Sequence, residues 1–274
     1  MTTKKIDVRK ALQSKYKGYV PGFVFRWLQR LVHEDELNEM MELQHEVDGV
    51  AMGHKIMEYL GVTCDIIGKE RLPRADERTL FVSNHPLGGV DGIIYAALLG
   101  EHYGGQLRIP VNDLLLAVYQ FRDIFLPVNK YGKQARNALT LLREALDGPQ
   151  QVLTFPAGLV SRLNERGEVH DLTWQPSFVR MAQQSQRQVV PLFFEGENSP
   201  RFYRWAQRRR RLGWKFPAEL ILLPDEMIRA KGRHFRIIVG EPIPYTALPD
   251  KQEAAAFATQ LRDELYTFPT RYTR

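Results

Sequence analysis

The segment SNHPLGGVDG at residues 83–92 combines side chains that can move a proton near neutral pH. A histidine suits that task because its unperturbed pKa is about 6.5, and a carboxylate on its second ring nitrogen fixes the tautomer. Gly88 and Gly89 let the chain fold back, so Asp91 can reach His85 across the five residues between them. The segment therefore predicts His85 as a catalytic base and Asp91 as its orienting partner. In the alternative interpretation it is an ordinary turn, and Asp91 only caps the following helix.

A second segment with useful chemistry is FPAGLVSR at residues 155–162. Proline and glycine after an apolar run shape a turn that lets backbone approach a ligand closely. Backbone N–H groups near Gly158 are therefore candidates for stabilising an oxyanion. Arg162 can hold a phosphate or carboxylate through paired hydrogen bonds. Ser161 lies outside any Gly-x-Ser-x-Gly motif, so a covalent serine intermediate is not indicated and we expect it to serve the turn.

The elements that position these segments follow from seven short apolar runs rich in β-branched and aromatic residues, which predict strands. The runs lie at 62–67, 80–83, 107–111, 124–128, 152–155, 189–194 and 235–239. Helices are predicted at 92–100, 112–120, 134–147, 175–186 and 251–267. This alternation predicts an α/β fold, with a mixed, largely parallel sheet flanked by helices on both faces. Pro191 predicts an edge strand or a bulge. The segments 83–92 and 155–162 each follow a predicted strand, and in such sheets functional sites form at the carboxyl ends of the strands.

The N-terminal part of the chain has a different pattern. Residues 7–33 interleave aromatic with basic side chains, which suits a membrane interface. Residues 35–60 predict one long helix with an apolar face. We therefore predict an N-terminal amphipathic, helical and membrane-proximal segment at 1–60, followed by an α/β domain at 61–274.

A basic and aromatic helix is predicted at 201–215, where seven Lys or Arg residues occur without an acid. Its candidate contacts for a membrane or a carrier protein are Arg204, Trp205, Arg208, Arg209, Arg210 and Arg211. An anionic bilayer, an acidic carrier protein and nucleic acid all suit such a surface.

Composition narrows the class of protein further. The 274 residues are 44% hydrophobic and 26% charged, with a net charge of +6, as is ordinary for globular proteins. No run reaches the roughly 18 apolar residues that a membrane span requires, and no secretory signal is visible. The single cysteine excludes an internal disulfide, and no histidine pair has a compelling metal-ligand spacing. We expect a cytoplasmic protein, peripheral on the inner face of the cell membrane, without a metal.

Three motifs occur in the order found in the lysophosphatidic acid acyltransferase superfamily. They are Asn84-His85 with Asp91, Phe155-Pro156-x-Gly158-x-x-Ser161, and Val190-Pro191. The first resembles the Asn-His-x4-Asp block of the superfamily, the second its Phe-Pro-Glu-Gly-Thr-Arg-Ser block, and the third its Val-Pro element. The resemblance covers roughly residues 62–245, and the first motif carries most of its specificity.

Departures from these motifs resemble one branch of the superfamily. Five residues rather than four separate His85 from Asp91, and Ala157 and Val160 replace a glutamate and an arginine. This spacing, together with an Asp-x-x-Trp sequence that begins at Asp171, is similar to haemolysin-like proteins and the acyltransferases of ornithine and glycine lipids. That branch implies an amino-acid headgroup on the acceptor in place of glycerol phosphate.

The resemblance implies an acyltransferase of membrane lipid biosynthesis that acts on a lysophospholipid or amino-acid lysolipid. The donor is an acyl thioester of acyl carrier protein or coenzyme A, which is a co-substrate, and no cofactor is bound. Lys130 lies where the superfamily has an acceptor-binding arginine. The implied substrate-binding residues are Asn84, Lys130, Phe155, Pro156, Gly158, Ser161 and Arg162. The expected partners are the donor, the lipid acceptor and an anionic membrane surface, and not nucleic acid.

Direct transfer without an acyl-enzyme is the mechanism expected of these residues. His85 takes the proton from the acceptor's hydroxyl or amine as that atom attacks the thioester. Two alternatives stay open at this point. One is a membrane-associated hydrolase in which His85 activates water, and the other is a non-catalytic protein that binds anionic surfaces.

Overall fold

The computed structural model describes residues 6–10, 20–42, 47–111, 119–127, 132–214 and 217–272. The strands in these ranges are β1 Thr63–Ile67, β2 Thr79–Ser83, β3 Leu107–Val111, β4 Phe125–Pro127, β5 Gln151–Thr154, β6 Arg162–Leu163, β7 Val169–His170, β8 Gln188–Glu195 and β9 His234–Val239. Seven strands form one sheet in the order β1-β9-β8-β2-β5-β3-β4, and β6 pairs with β7 separately. These seven are the predicted strands, and their limits agree to within one residue.

The sheet is mixed and largely parallel, as the sequence predicts. Among the described strands of this sheet, only β8 and β9 pair antiparallel. β2 lies at the centre and all of its residues are buried. Successive side chains of a strand point to opposite faces, so Phe81 joins one apolar cluster while Leu80 and Val82 join the other. The central strand is thus covered on both faces, and its carboxyl end leads into the His85 segment.

Pro191 lies inside β8, which is an interior strand, so the prediction of an edge strand or a bulge is wrong. The missing N–H is tolerated because the antiparallel ladder with β9 begins one residue later, where Leu192 lies opposite Val239. Pro191 itself lies opposite Val82 of β2, and its carbonyl accepts the Gly240 N–H at 2.8 Å. The proline therefore marks the point at which the ladder to β9 ends.

Helices pack on both faces of the sheet. Those described in full are α1 Gly22–Leu31, α2 Glu34–Glu42, α3 Gly49–Leu60, α4 Val90–His102, α5 Gly132–Asp147, α6 Ser177–Gln184, α7 Pro200–Arg211, α8 Leu223–Arg229, α9 Ala254–Leu265 and α10 Phe268–Tyr272. α3 and α4 contribute to the apolar cluster on one face, and α6 and α9 to the other. The helix predicted at 112–120 falls mostly outside the described residues, and Tyr119–Phe121 form a short 3-10 turn. Within the described part of the chain, no helix is long and apolar enough to cross a membrane.

The single helix predicted at 35–60 is instead two helices, α2 and α3. Val47 and Asp48 are not helical, and the Asp48 side chain accepts the Ala51 N–H at 2.9 Å as the N-cap of α3. Such a cap satisfies a backbone N–H that the start of a helix leaves unpaired. Apolar residues of both helices belong to the same core cluster as the sheet. The domain boundary predicted after residue 60 stays a prediction.

Candidate active site

The loop between β2 and α4 brings His85 and Asp91 together. His85 Nδ1 lies 3.0 Å from Asp91 Oδ2, with the imidazole 16% exposed and the carboxylate fully buried. Gly88 has a φ of +76°, a conformation that glycine adopts without a steric penalty. A Cβ there would lie 2.4 Å from a Val160 methyl group. The glycine therefore permits both the turn and its close contact with the second segment.

Asp91 is held in its ionised form. Its Oδ2 accepts the N–H groups of Leu87 at 3.0 Å and Gly88 at 3.4 Å, and its Oδ1 accepts the Gly92 N–H at 2.9 Å. Burial raises the pKa of Asp91, but His85 and these hydrogen bonds outweigh it, so the pKa lies below its usual value. A charged acceptor at Nδ1 keeps a proton on that nitrogen. Nε2 of His85 is then the basic nitrogen.

The surroundings of His85 have opposing effects on its pKa. Burial lowers the pKa of His85, the carboxylates of Asp91 and Asp171 raise it, and the Arg162 guanidinium lowers it. The carboxylates prevail, so the pKa lies above its usual value. The Phe155 ring stacks on the imidazole, with ring centroids 4.1 Å apart and planes inclined by 27°. The ring of His85 is thus fixed at one edge by Asp91 and on one face by Phe155.

The second segment, 155–162, lies directly against the His85 loop. The Ser161 N–H donates to the His85 carbonyl at 2.8 Å, and the Ser161 hydroxyl donates to Asp171 at 2.5 Å. Ser161 is fully buried. Pro156 is also buried, and its carbonyl accepts the Gln175 N–H at 2.9 Å. Both residues hold the backbone of the site together.

Gly158 forms the exposed turn of this segment, with a φ of +64°. Its own N–H donates to the Phe155 carbonyl at 2.9 Å and closes the turn. That N–H is therefore already paired, and an oxyanion contact from backbone N–H groups near Gly158 stays a prediction.

Asn84 has contacts that differ from the predicted substrate contact. Its Oδ1 accepts the Phe194 N–H at 2.7 Å, and its Nδ2 donates to the Phe194 carbonyl at 2.9 Å. The residue is 1% exposed. Both polar ends of the amide are used on backbone groups, which joins the end of β2 to β8. These contacts fix the position of the neighbouring His85, and the predicted substrate contact of Asn84 stays a prediction.

Asp171 is a residue of the site that the sequence-based selection missed. Its Oδ1 accepts the His85 N–H at 3.2 Å and the Ser161 hydroxyl, and its Oδ2 accepts Trp174 Nε1–H at 2.7 Å. The Asp171 N–H donates to the Tyr266 hydroxyl at 2.7 Å. Burial raises the pKa of Asp171 despite these hydrogen bonds. The available signal is the Asp-x-x-Trp spacing, whose two side chains are hydrogen-bonded to each other.

Arg162 contacts groups within the protein, and its predicted contact with an acceptor anion stays a prediction. Its guanidinium binds Glu219 Oε1 through Nε at 3.2 Å and Nη2 at 2.8 Å. Its Nη1 donates to the carbonyls of Val160 and Ser161. The residue is 5% exposed, so its donors are directed into the protein. Glu219 lies 57 residues further along the chain, and only the fold reveals the pairing.

The remaining predicted contacts lie on α7 or outside the described residues. Lys130 belongs to the latter. On α7 the exposed members are Arg204, Trp205, Arg208, Arg210 and Arg211. Arg209 differs from them, because its Nε donates to Glu219 at 2.7 Å and its side chain is 18% exposed. Arg209 therefore forms an ion pair with the buried Glu219, and its predicted surface contact stays a prediction.

Comparison with known proteins identifies the class. The acyltransferase family model matches residues 8–267, and the chain belongs to this family and is an acyltransferase. It is similar to the lyso-glycine lipid O-acyltransferase of Phocaeicola vulgatus, with 38% identity over 265 residues, which are 95% of this chain and 94% of that protein. The enzyme of the same description from Bacteroides thetaiotaomicron is 37% identical over 265 residues, 95% of this chain and 96% of that protein.

A solved structure also aligns with the chain. The crystal structure of the 1-acyl-sn-glycerophosphate (LPA) acyltransferase PlsC from Thermotoga maritima has a TM-score of 0.48 and 14% identity. The alignment covers 87% of this chain and 81% of that chain.

Proposed function

We propose that this acyltransferase moves a fatty-acyl group from an acyl thioester to the hydroxyl of a lyso-glycine lipid at an anionic membrane surface. The observation that carries the proposal is the His85–Asp91 pair, at 3.0 Å, in a chain that is 38% identical to a lyso-glycine lipid O-acyltransferase over 95% of its length. The pair offers a base, and the relative indicates the acceptor. Acyl carrier protein or coenzyme A carries the donor.

The proposed reaction is a direct transfer. The acceptor oxygen attacks the thioester carbonyl while His85 Nε2 takes its proton. The carbon–sulfur bond then breaks, and the departing thiolate receives the proton from His85. The new ester bond links the acyl group to the acceptor. Asp91 stabilises the imidazolium through the hydrogen bond at Nδ1, and its low pKa keeps it charged throughout.

Ser161 supports a mechanism without an acyl-enzyme. It is the serine of the second segment, but its hydroxyl donates to Asp171 and is fully buried. A nucleophilic serine needs its hydroxyl directed at the base that activates it. The described contacts of Ser161 do not meet that condition, so the acceptor itself serves as the nucleophile.

The proposed membrane contact uses α1 and α7, which lie beside the site. Leu31 of α1 and Phe202 of α7 share an apolar cluster with Val160 of the second segment. The outer sides of this region expose large rings: Phe23 is 67% exposed, Trp27 51% and Trp214 61%. Rings that enter the interface next to arginines at the phosphates favour binding to anionic lipid. The site would then face the lipids it modifies.

Liposome flotation tests this contact. We expect the protein to float with vesicles that contain anionic lipid and not with neutral vesicles, and the double variant Trp205→Ser, Trp214→Ser to lose binding. Leu139→Ser is the matched control, since Leu139 is 58% exposed on α5. Equal loss in the control, or binding of the wild type to nucleic acid alone, would contradict the proposed surface.

A panel of substrates tests the reaction. Purified wild type and His85→Ala are incubated with acyl carrier protein and coenzyme A thioesters, and with lyso-glycine lipid, monoacylated ornithine lipid or lysophosphatidic acid. Mass spectrometry should detect an ester-linked diacyl glycine lipid that is absent with His85→Ala. Free fatty acid alone would indicate a hydrolase. A diacyl product from lysophosphatidic acid only, or no product from folded protein, would overturn the proposed acceptor or the proposed chemistry, respectively.

A further inference from the structure

A buried group of three charges lies beneath the second segment of the site. Glu219 is 1% exposed, and its carboxylate binds two arginines. One oxygen accepts Arg162 Nη2 at 2.8 Å, and the other accepts Arg209 Nε at 2.7 Å. Arg162 also packs on the Phe202 ring, with its guanidinium carbon 4.9 Å from the ring centre. One carboxylate thus binds both an arginine from the site and an arginine from α7.

Arg162 extends this group to the backbone of the site. Its Nη1 donates to the Val160 carbonyl and, at 3.1 Å, to the Ser161 carbonyl. A guanidinium can serve Glu219 and two carbonyls at once because its donors lie in a fixed plane. The orientation of Arg162 therefore helps to hold the Val160 and Ser161 carbonyls in place.

Ser161 continues the path to His85. Its N–H donates to the His85 carbonyl at 2.8 Å, and its hydroxyl donates to Asp171, which in turn accepts the His85 N–H at 3.2 Å. The His85 carbonyl is thus bound directly by Ser161, and the His85 N–H is bound by a carboxylate that also accepts the Ser161 hydroxyl. A shift of the second segment would move the backbone of His85 with it.

We propose that Glu219 is a positioning residue for the acyl transfer, which acts through Arg162 and Ser161 on the His85 loop. The reason is that a buried arginine without its carboxylate is strongly disfavoured. Arg162 would turn toward water and release the two carbonyls, and the imidazole would lose its alignment with the acceptor. This inference rests on His85 being the base of the proposed function.

Electrostatics give the same group a second effect on His85. The Arg162 guanidinium lowers the pKa of His85, and Glu219 holds that guanidinium in its place. Once Arg162 turns toward water, its charge moves away from the imidazole, so the loss of Glu219 raises the pKa of His85. A purely structural carboxylate at a distance from the site would not produce such a shift.

The test compares Glu219→Gln with Glu226→Gln. Glu226 is an equally suitable buried carboxylate, 5% exposed, which also contacts α7 by accepting the N–H and hydroxyl of Ser199. It has no described link to Arg162. We expect Glu219→Gln to lower kcat by about 10- to 100-fold, as for a misplacement of about 1 Å, with little change in the KM of the acceptor. We expect Glu226→Gln to keep the wild-type kcat.

The His85 titration is measured separately by NMR on protein labelled with ¹⁵N histidine, without substrate. The expected result is a higher pKa of His85 in Glu219→Gln and an unchanged one in Glu226→Gln, and a lower pKa in Glu219→Gln would contradict the release of Arg162. This readout remains valid even if the acceptor or the reaction has been misassigned, so the two proposals fail independently. An unchanged titration together with wild-type kcat would overturn the positioning role, as would parallel losses of kcat and thermal midpoint in both variants.

Arg162→Lys provides a second variant in case Glu219→Gln does not fold. It keeps a positive charge opposite Glu219, but one ammonium group lacks the planar set of donors that reaches both carbonyls. We expect a folded protein with a lower kcat and an unchanged KM. Wild-type kcat in this variant would contradict the proposed path through Arg162.

Discussion

Replacement of Asp91 by asparagine removes one charge from the His85 pair and leaves the shape of the side chain nearly unchanged. Asparagine has one carbonyl oxygen and one NH₂ group, so its orientation decides which hydrogen bonds survive. Donors from His85, Leu87 and Gly88 converge on Oδ2, whereas Gly92 N–H meets Oδ1. We therefore expect the amide oxygen to take the Oδ2 position. That choice keeps the proton on His85 Nδ1 and preserves the reactive tautomer.

The expected defect is the loss of a charge and not a change of tautomer. Two unit charges about 4 Å apart attract by about 4 kcal/mol at an effective dielectric constant of about 20. The neutral hydrogen bond that remains offsets about 1 kcal/mol, which leaves about 3 kcal/mol, or about 10²-fold in kcat. The Asp91 carboxylate also raises the pKa of His85, so its loss lowers that pKa. The acidic limb of the pH profile should therefore move to lower pH.

Initial rates of the diacyl product across pH, at saturating substrates, measure both effects. Asp76→Asn is the control, because Asp76 is exposed in the loop before β2, and thermal midpoints establish that both variants fold. A loss of about 10⁴-fold with an unmoved acidic limb would indicate the wrong tautomer and would refute this reasoning. A wild-type kcat would remove Asp91 from the mechanism.

Two further substitutions test the surroundings of His85. Phe155→Leu removes the ring that stacks on the imidazole at 4.1 Å, a contact of about 1 kcal/mol. In steady-state assays we expect kcat to fall by about fivefold, while the acidic limb of the pH profile stays in place. Burial raises the folded-state pKa of Asp171 above its ordinary value of 3.8. The folded protein therefore binds the proton of Asp171 more tightly than the unfolded chain does, and this makes the free energy of unfolding of the wild type fall as the pH rises above 3.8. Urea unfolding of Asp171→Asn should lack that contribution, and identical pH dependence in both proteins would contradict it.

The fold could largely be predicted from the sequence because the apolar runs correspond to buried strands. β2 is the clearest case, since a run that is buried on both faces leads straight into SNHPLGGVDG. Pro191 is the instructive failure. Proline removes one backbone hydrogen bond, but the sequence does not reveal toward which neighbouring strand that bond would have pointed. In this fold the antiparallel pairing of β8 with β9 begins at the next residue, Leu192.

The candidate site was only partly accessible for a related reason. The pairing of His85 with Asp91 is local, so the glycines between them were a sufficient signal. Partners distant in sequence, such as Glu219 for Arg162, depend on how the helices pack after the sheet has formed. From the sequence alone, a basic side chain in a predicted site motif can therefore be interpreted either as a ligand contact or as one partner of a buried ion pair.

The measurement that tests the central claim most directly is the rate of ester formation from lyso-glycine lipid and an acyl thioester by His85→Gln and His102→Gln. His102 lies at the opposite end of α4 from Asp91 and is exposed, so it serves as a matched histidine. If His85 is the base, His85→Gln lowers kcat by about 10²- to 10⁴-fold, and His102→Gln keeps the wild-type value. A wild-type rate in folded His85→Gln would contradict the account.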